Sequence, residues 1–187
     1  MPEDSSPVPT PKKSATPPVE KPEPPPPPPT NTVAAVQTPA QMTLALGDRF
    51  PFRPNILSDP TFWDQSMETF KKLNKPLELM PLIPTEHETT LQVRSRFDLM
   101  STPIFDATIH FTDNTLKRIK LNFTKKGDAA SAHAEDVRKL QMSLETAVEK
   151  AGGKSQRTGN KLKCQVGNTT IELDSDKAEG LLSASEK

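Results

Sequence analysis

The run IFDATIHFTDNTLKRIKLNFTKKGD, residues 104–128, continues as AASAHAEDVRKLQMSLETAVEKAGG to residue 153, and its reading decides the fold. The hydrophobic period changes partway along it. Phe105, Ala107, Ile109 and Phe111 alternate with Asp106, Thr108 and His110. After the turn formers Thr112-Asp113-Asn114-Thr115, Ile119, Leu121 and Phe123 alternate with Arg118, Lys120 and Asn122. A period of two places each set on one side of a pleated ribbon, so the run predicts a hairpin with one buried and one solvated face. Gly127-Asp128 ends the second strand, and Asp128 or Ser131 stands where a helix cap belongs. Val137, Leu140, Leu144, Ala147 or Val148, and Ala151 then recur at helical spacing, a stripe of about four turns. Gly152-Gly153 closes the helix where a left-handed residue costs least. Hairpin and helix each have one apolar side and must pack together.

Upstream, Thr89 to Leu99 alternates again, with Leu91, Val93 and Phe97 against Gln92, Arg94 and Arg96 and with Ser95 on the inner side. It predicts a third antiparallel strand beside the hairpin. Leu44 to Pro54 reads as an extended lead-in. Ser58 or Asp59 with Pro60 reads as a helix start, followed by Phe62, Trp63, Met67, Phe70 and Leu73 at helical spacings. Trp63, the single tryptophan, fits an amphipathic helix docked on the sheet better than an exposed ligand anchor. Residues 74–84 read as an irregular connection with a short strand at Leu79–Ile83. Downstream, Lys154 to Lys161 reads as a polar loop. Leu162, Cys164 and Val166, then Ile171 and Leu173, flank Gly167-Asn168, which predicts a second hairpin.

Proline sets the domain boundary. Fourteen of the 21 prolines precede residue 41, a stretch without any aromatic side chain. It cannot bury enough apolar surface to offset the entropy of ordering it. The expected organisation is a disordered proline-rich arm at 1–43, a single α+β domain at 44–175, and a flexible tail at 176–187. The domain is an antiparallel sheet of about five strands with two helices packed on one face. Pro24 to Pro29 favour a polyproline II rod of roughly 19 Å, read as a stiff spacer rather than a ligand for an SH3-like or WW-like partner.

Net charge is zero, which argues against a chain dominated by nucleic-acid phosphate or anionic lipid. No apolar run approaches the roughly 20 residues of a membrane helix. Met1-Pro2-Glu3-Asp4 lacks the regions of a signal peptide. The protein is then cytoplasmic, or periplasmic or secreted with its signal replaced by a start methionine; the proline-rich arm favours export.

Candidate chemistry is sparse. Cys164, the single cysteine, alternates with Leu162 and Val166 and reads as a buried structural thiol rather than a nucleophile. His87, His110 and His133 show no metal-ligand spacing, and no phosphate loop or serine elbow is present, so no cofactor is assigned. One cluster remains. Arg94, Arg96, His110, Arg118 and Lys120 fall on the outer face of the predicted three-stranded ribbon and form the candidate partner-contact face. RNA-binding sheets interleave aromatics among such charges; here every aromatic points inward, so a solvated face outranks a binding surface, and a protein partner outranks nucleic acid.

The order of these pieces resembles a known arrangement. Ile56-Leu57-Ser58-Asp59-Pro60-Thr61-Phe62-Trp63, Phe70, the strand Val93-Arg94-Ser95-Arg96-Phe97 and the hairpin from Pro103 to Gly127-Asp128 together resemble the amino-terminal accessory region of bacterial C39-like, papain-fold cysteine peptidase-like proteins. The resemblance spans residues 56–175 and implies an accessory module preceding a peptidase-like domain. That peptidase needs a helix-borne cysteine with a downstream histidine, and no histidine follows Cys164, so no catalytic residue carries over. The leading expectation is a non-catalytic interaction or regulatory module. The alternative is an accessory fragment of a peptidase-like hydrolase, and nucleic-acid binding by the basic face ranks third.

Overall fold

The structure is a computed structural model that describes residues 46–82 and 84–185. The arm assigned to residues 1–43, the first residues of the expected lead-in, and Ile83 lie outside the described residues. Among the described residues there are ten strands: β1 (Leu79–Pro81), β2 (Glu88–Val93), β3 (Phe97–Leu99), β4 (Thr102–Ile104), β5 (Asp106–Thr112), β6 (Thr115–Asn122), β7 (Lys154–Thr158), β8 (Lys161–Val166), β9 (Thr169–Asp174) and β10 (Glu179–Ala184). Two α-helices lie wholly within the described residues, α1 (Met67–Leu73) and α2 (Ala134–Lys150).

The expected α+β class holds, and the sheet is larger than the five strands read from the sequence. Eight antiparallel strands run in the order β1-β2-β5-β6-β10-β9-β8-β7, and β3 and β4 form a separate two-stranded ribbon. Three segments account for the difference. Residues 154–158, expected as a loop, form the edge strand β7. Residues 176–187, expected as a flexible tail, contribute β10 at the centre of the sheet, paired to β6 on one side and β9 on the other. The alternation read across 89–99 breaks after Val93, so Phe97–Leu99 leaves the main sheet and pairs with Thr102–Ile104.

The central hairpin forms as the alternation requires. Asp113 and Asn114 both take positive φ, 48° and 60°, the geometry of a two-residue turn whose twist matches the flanking strands. A bulge between His110 and Phe111 pairs His110 with Arg118 and Phe111 with Leu116. The extra residue, Lys117, lets both Leu116 and Ile119 face inward, which strict alternation forbids.

One face of the sheet is the core. Leu91, Ile109, Ile119, Leu182, Ile171 and Cys164 cross it from β2 to β8 without solvent exposure. Val137, Leu140, Leu144 and Val148 of α2 cover one end of it, as the helical stripe predicts. The other end is covered by Phe62, Trp63 and Phe70, with Phe70 edge-on to Phe111 at 5.8 Å between centroids. Trp63 is buried and donates from Nε1 to Thr169 Oγ1 at 2.9 Å. It is a docking residue, 106 positions from its partner.

The helix starts differ from expectation. Phe62–Asp64 is a short 3-10 turn, and α1 begins afresh at Met67, capped by Ser66 through Thr69 N–H. Asp59 instead accepts from the Thr61 amide. Ahead of α2, Ala130–Ala132 forms a 3-10 turn, and Asp128 binds His133 Nε2 at 2.9 Å rather than capping the helix. The far end matches the sequence: Gly152 has φ +76°, and the amides of Gly152 and Gly153 bond back to Glu149 and Val148, a Schellman closure.

Candidate partner-contact face

Among the described residues nothing covers the other side of the sheet, and strand register determines what it displays. Three rows of outward side chains cross it. The first joins Thr90, His110, Arg118, Ser183, Thr170 and Gln165. The second joins Gln92, Thr108, Lys120, Leu181, Glu172, Lys163 and Gln156. The third runs through Asp106, Asn122, Glu179, Asp174, Lys161 and Thr158.

The five predicted residues are only partly assembled. His110, Arg118 and Lys120 share the open face on β5 and β6. Arg94, one residue beyond β2, is exposed at its corner, donates to Met80 Sδ at 2.9 Å, and borders a hollow with Gln92, Asp106 and Asn122. Arg96 is elsewhere: the strand has ended, and its guanidinium lies 5.9 Å from the Phe105 ring centre. Phe105, expected on the inner face, has left the strand as well and packs against the His133 ring, centroids 5.5 Å apart and planes tilted by 60°.

The face is also less basic than the three-stranded reading implies, because β10 and β9 bring acids to it. Lys120 Nζ meets Glu179 at 2.8 Å, Lys163 meets Glu172 at 2.9 Å, and Lys161 meets Asp174 at 3.8 Å. These pairs are half-exposed or more on the lysine side, so each contributes little to stability. The charge forms bands along the strands: basic on β6, apolar at Leu181, acidic on β9, basic on β8. An open groove of about 480 Å³ crosses these bands, bordered by Lys120, Leu181, Glu172, Lys163, Gln156 and Lys177. The outward parity of Lys161 and Lys163 is visible in the sequence; the insertion of β10 between β6 and β9 is not.

The surroundings of His110 disfavour its protonated form. Nδ1 lies 3.2 Å from Thr90 Oγ1 and Nε2 lies 3.3 Å from Thr108 Oγ1. Partial burial, followed by the Arg118 charge, moves its pKa below the ordinary 6.5, with Glu88 acting the other way.

Cys164 is buried on the core face of β8. Burial, reinforced by Glu145 and Glu149, pushes its thiol up to about 11, which disfavours the thiolate a nucleophile requires. Among the described residues no group of three or more His, Cys, Asp or Glu side chains is arranged to hold a metal ion, and no helix is long and apolar enough to cross a membrane. No protein-family model, no curated protein and no solved structure matches the chain.

Proposed function

We propose that this chain is a non-catalytic binding module that engages a protein partner through the open face of its sheet. The observation that carries the reading is the asymmetry of that sheet. Both helices and the segment before them lie on one side, while the other displays a banded, polar, grooved surface with His110, Arg118 and Lys120 on it and Arg94 at its corner. A sheet face with alternating charge fits a protein surface of complementary charge, where pairing sets orientation and encounter rate more than raw affinity. The mixed charge fits nucleic acid less well.

The test is affinity capture with the full chain, followed by titration of the captured protein in purified form. The variant Arg94→Glu/Arg118→Glu/Lys120→Glu is expected to weaken binding about tenfold or more. Lys139→Glu on α2 leaves it unchanged. Arg96→Glu, off the face, has a smaller effect than the triple variant. Full affinity in the triple variant, with its circular dichroism unaltered, removes the assignment of this face.

A further inference from the structure

The two edges of the sheet are unlike. The β1 edge is three residues long and ends in Pro81, which has no amide to offer a further strand. The β7 edge is five residues, Lys-Ser-Gln-Arg-Thr, almost wholly exposed. Among the described residues nothing pairs with its outer side. An unprotected edge of that length is a template for another strand.

We propose that β7 pairs with β7 of a second copy of this chain, antiparallel and centred on Gln156, to join two sheets across a twofold axis. Three observations select a second copy as the occupant. The first is register. Centred on Gln156, the pairing sets Lys154 opposite Thr158, Gln156 opposite itself, and Ser155 opposite Arg157. No like charges stand directly across from each other, which would disfavour the pair.

The second is charge complementarity on the helix side. Ser155 and Arg157 point toward α2, where Ser155 Oγ donates to Glu149 at 2.9 Å and Arg157 donates to Glu145 at 2.8 Å. Because Ser155 faces Arg157 of the second copy, the Glu149 carboxylate held at Ser155 meets that guanidinium. Each Arg157 is then shared between its own Glu145 and the Glu149 of the other chain. An isologous interface requires self-matching of this kind.

The third is an apolar side chain at the same edge. Arg138, Met142, Glu145 and Glu149 are spaced four, three and four residues apart, so they line one flank of α2. The bonds to Ser155 and Arg157 show that this flank overhangs β7. Met142 on it is 53% exposed, the most exposed large apolar side chain among the described residues. The helix lies chiefly against β8 and β7. Two such helices, each above its own β8–β7 pair, sit two to three strand spacings apart, about 10–14 Å. Helices with their side chains are about 10–12 Å across, so Met142 gains cover from the opposing helix.

Sedimentation equilibrium of the full chain from low micromolar to millimolar concentration tests this. The expected particle has twice the 20.6 kDa chain mass at the upper end. Glu149→Arg, which sets a cation beside Arg157 of the second copy, is expected to raise the dissociation constant about tenfold or more with an unchanged melting temperature. Ser155→Pro, which removes an outward-facing amide of the edge, does the same if the strand tolerates it, and Glu149→Arg carries the test if it does not. A monomer at every concentration overturns the proposal. So does a dimer that neither substitution weakens, since it would use another surface. Neither result bears on the open face, whose triple variant leaves β7 intact.

Discussion

His110 and Cys164 titrate in opposite directions, and each links a local environment to the stability of the whole chain. The folded state keeps His110 neutral below its ordinary pKa of 6.5, while the unfolded chain takes up the proton there. The unfolded state then binds more protons, so stability falls as the solution is acidified from about pH 6.5. Replacing His110 with Gln is expected to flatten that fall in melts between pH 7 and 5. Cys164 has the reverse sign. Its folded thiol stays protonated up to about 11, against an ordinary 9.0, so stability falls as pH rises through that window. Cys164→Ala is expected to lower stability at neutral pH and to show a shallower decline between pH 9 and 11. Native Cys164 is also expected to resist alkylation at pH 8 and to react once the chain is unfolded in urea. Trp63 acts at this scale too: Trp63→Phe removes the indole N–H that Thr169 Oγ1 accepts and leaves a smaller ring in a buried site, for a loss of about 1–3 kcal/mol in chemical denaturation.

At the scale of elements, β10 has the tightest steric requirement. Gly180 faces the core between β6 and β9, and a Cβ there would stand 3.0 Å from Leu173 Cδ2 and 3.3 Å from Phe123 Cε2. Gly180→Val forces both neighbours aside in a filled interior, and about 1–3 kcal/mol of destabilisation is expected from denaturant melts. The same glycine explains why the strand escaped the sequence. A core position without a side chain leaves only Leu182 as an inward apolar residue, and Leu181 beside it points outward, so no alternation emerges. β7 was hidden for a different reason. As an edge strand with both side-chain sets polar, it has no period to detect, and its backbone pairing to β8 defines it. The hairpin β5–β6, the hairpin β8–β9 and the helix α2 were legible because each alternates or repeats against a buried face. Only the bulge at Lys117 interrupts them. Of the candidate site, His110, Arg118 and Lys120 share a face because the alternation of each strand is kept in step by the bulge at Lys117, whereas Arg96 left it when β2 ended at Val93.

At the scale of the molecule, residues 176–185 belong to the folded domain. Removing everything after Asp174 deletes the strand that joins β6 to β9, leaving two half-sheets whose inner faces no longer share one core. Such a chain is expected to lose cooperative unfolding altogether, visible as a missing thermal transition and collapsed amide dispersion; an unaltered transition would restore the tail to a dispensable role. Side-chain periodicity is local chemistry, so the sequence by itself determined the α+β class, the inner faces of both hairpins, the stripe and closure of α2, and the burial of Cys164 and Trp63. Which strands become neighbours is a matter of long-range backbone pairing and shared core volume. Only the tertiary structure decided that β10 enters between β6 and β9, and with it that acids join the basic face and that β7 is left at an open edge.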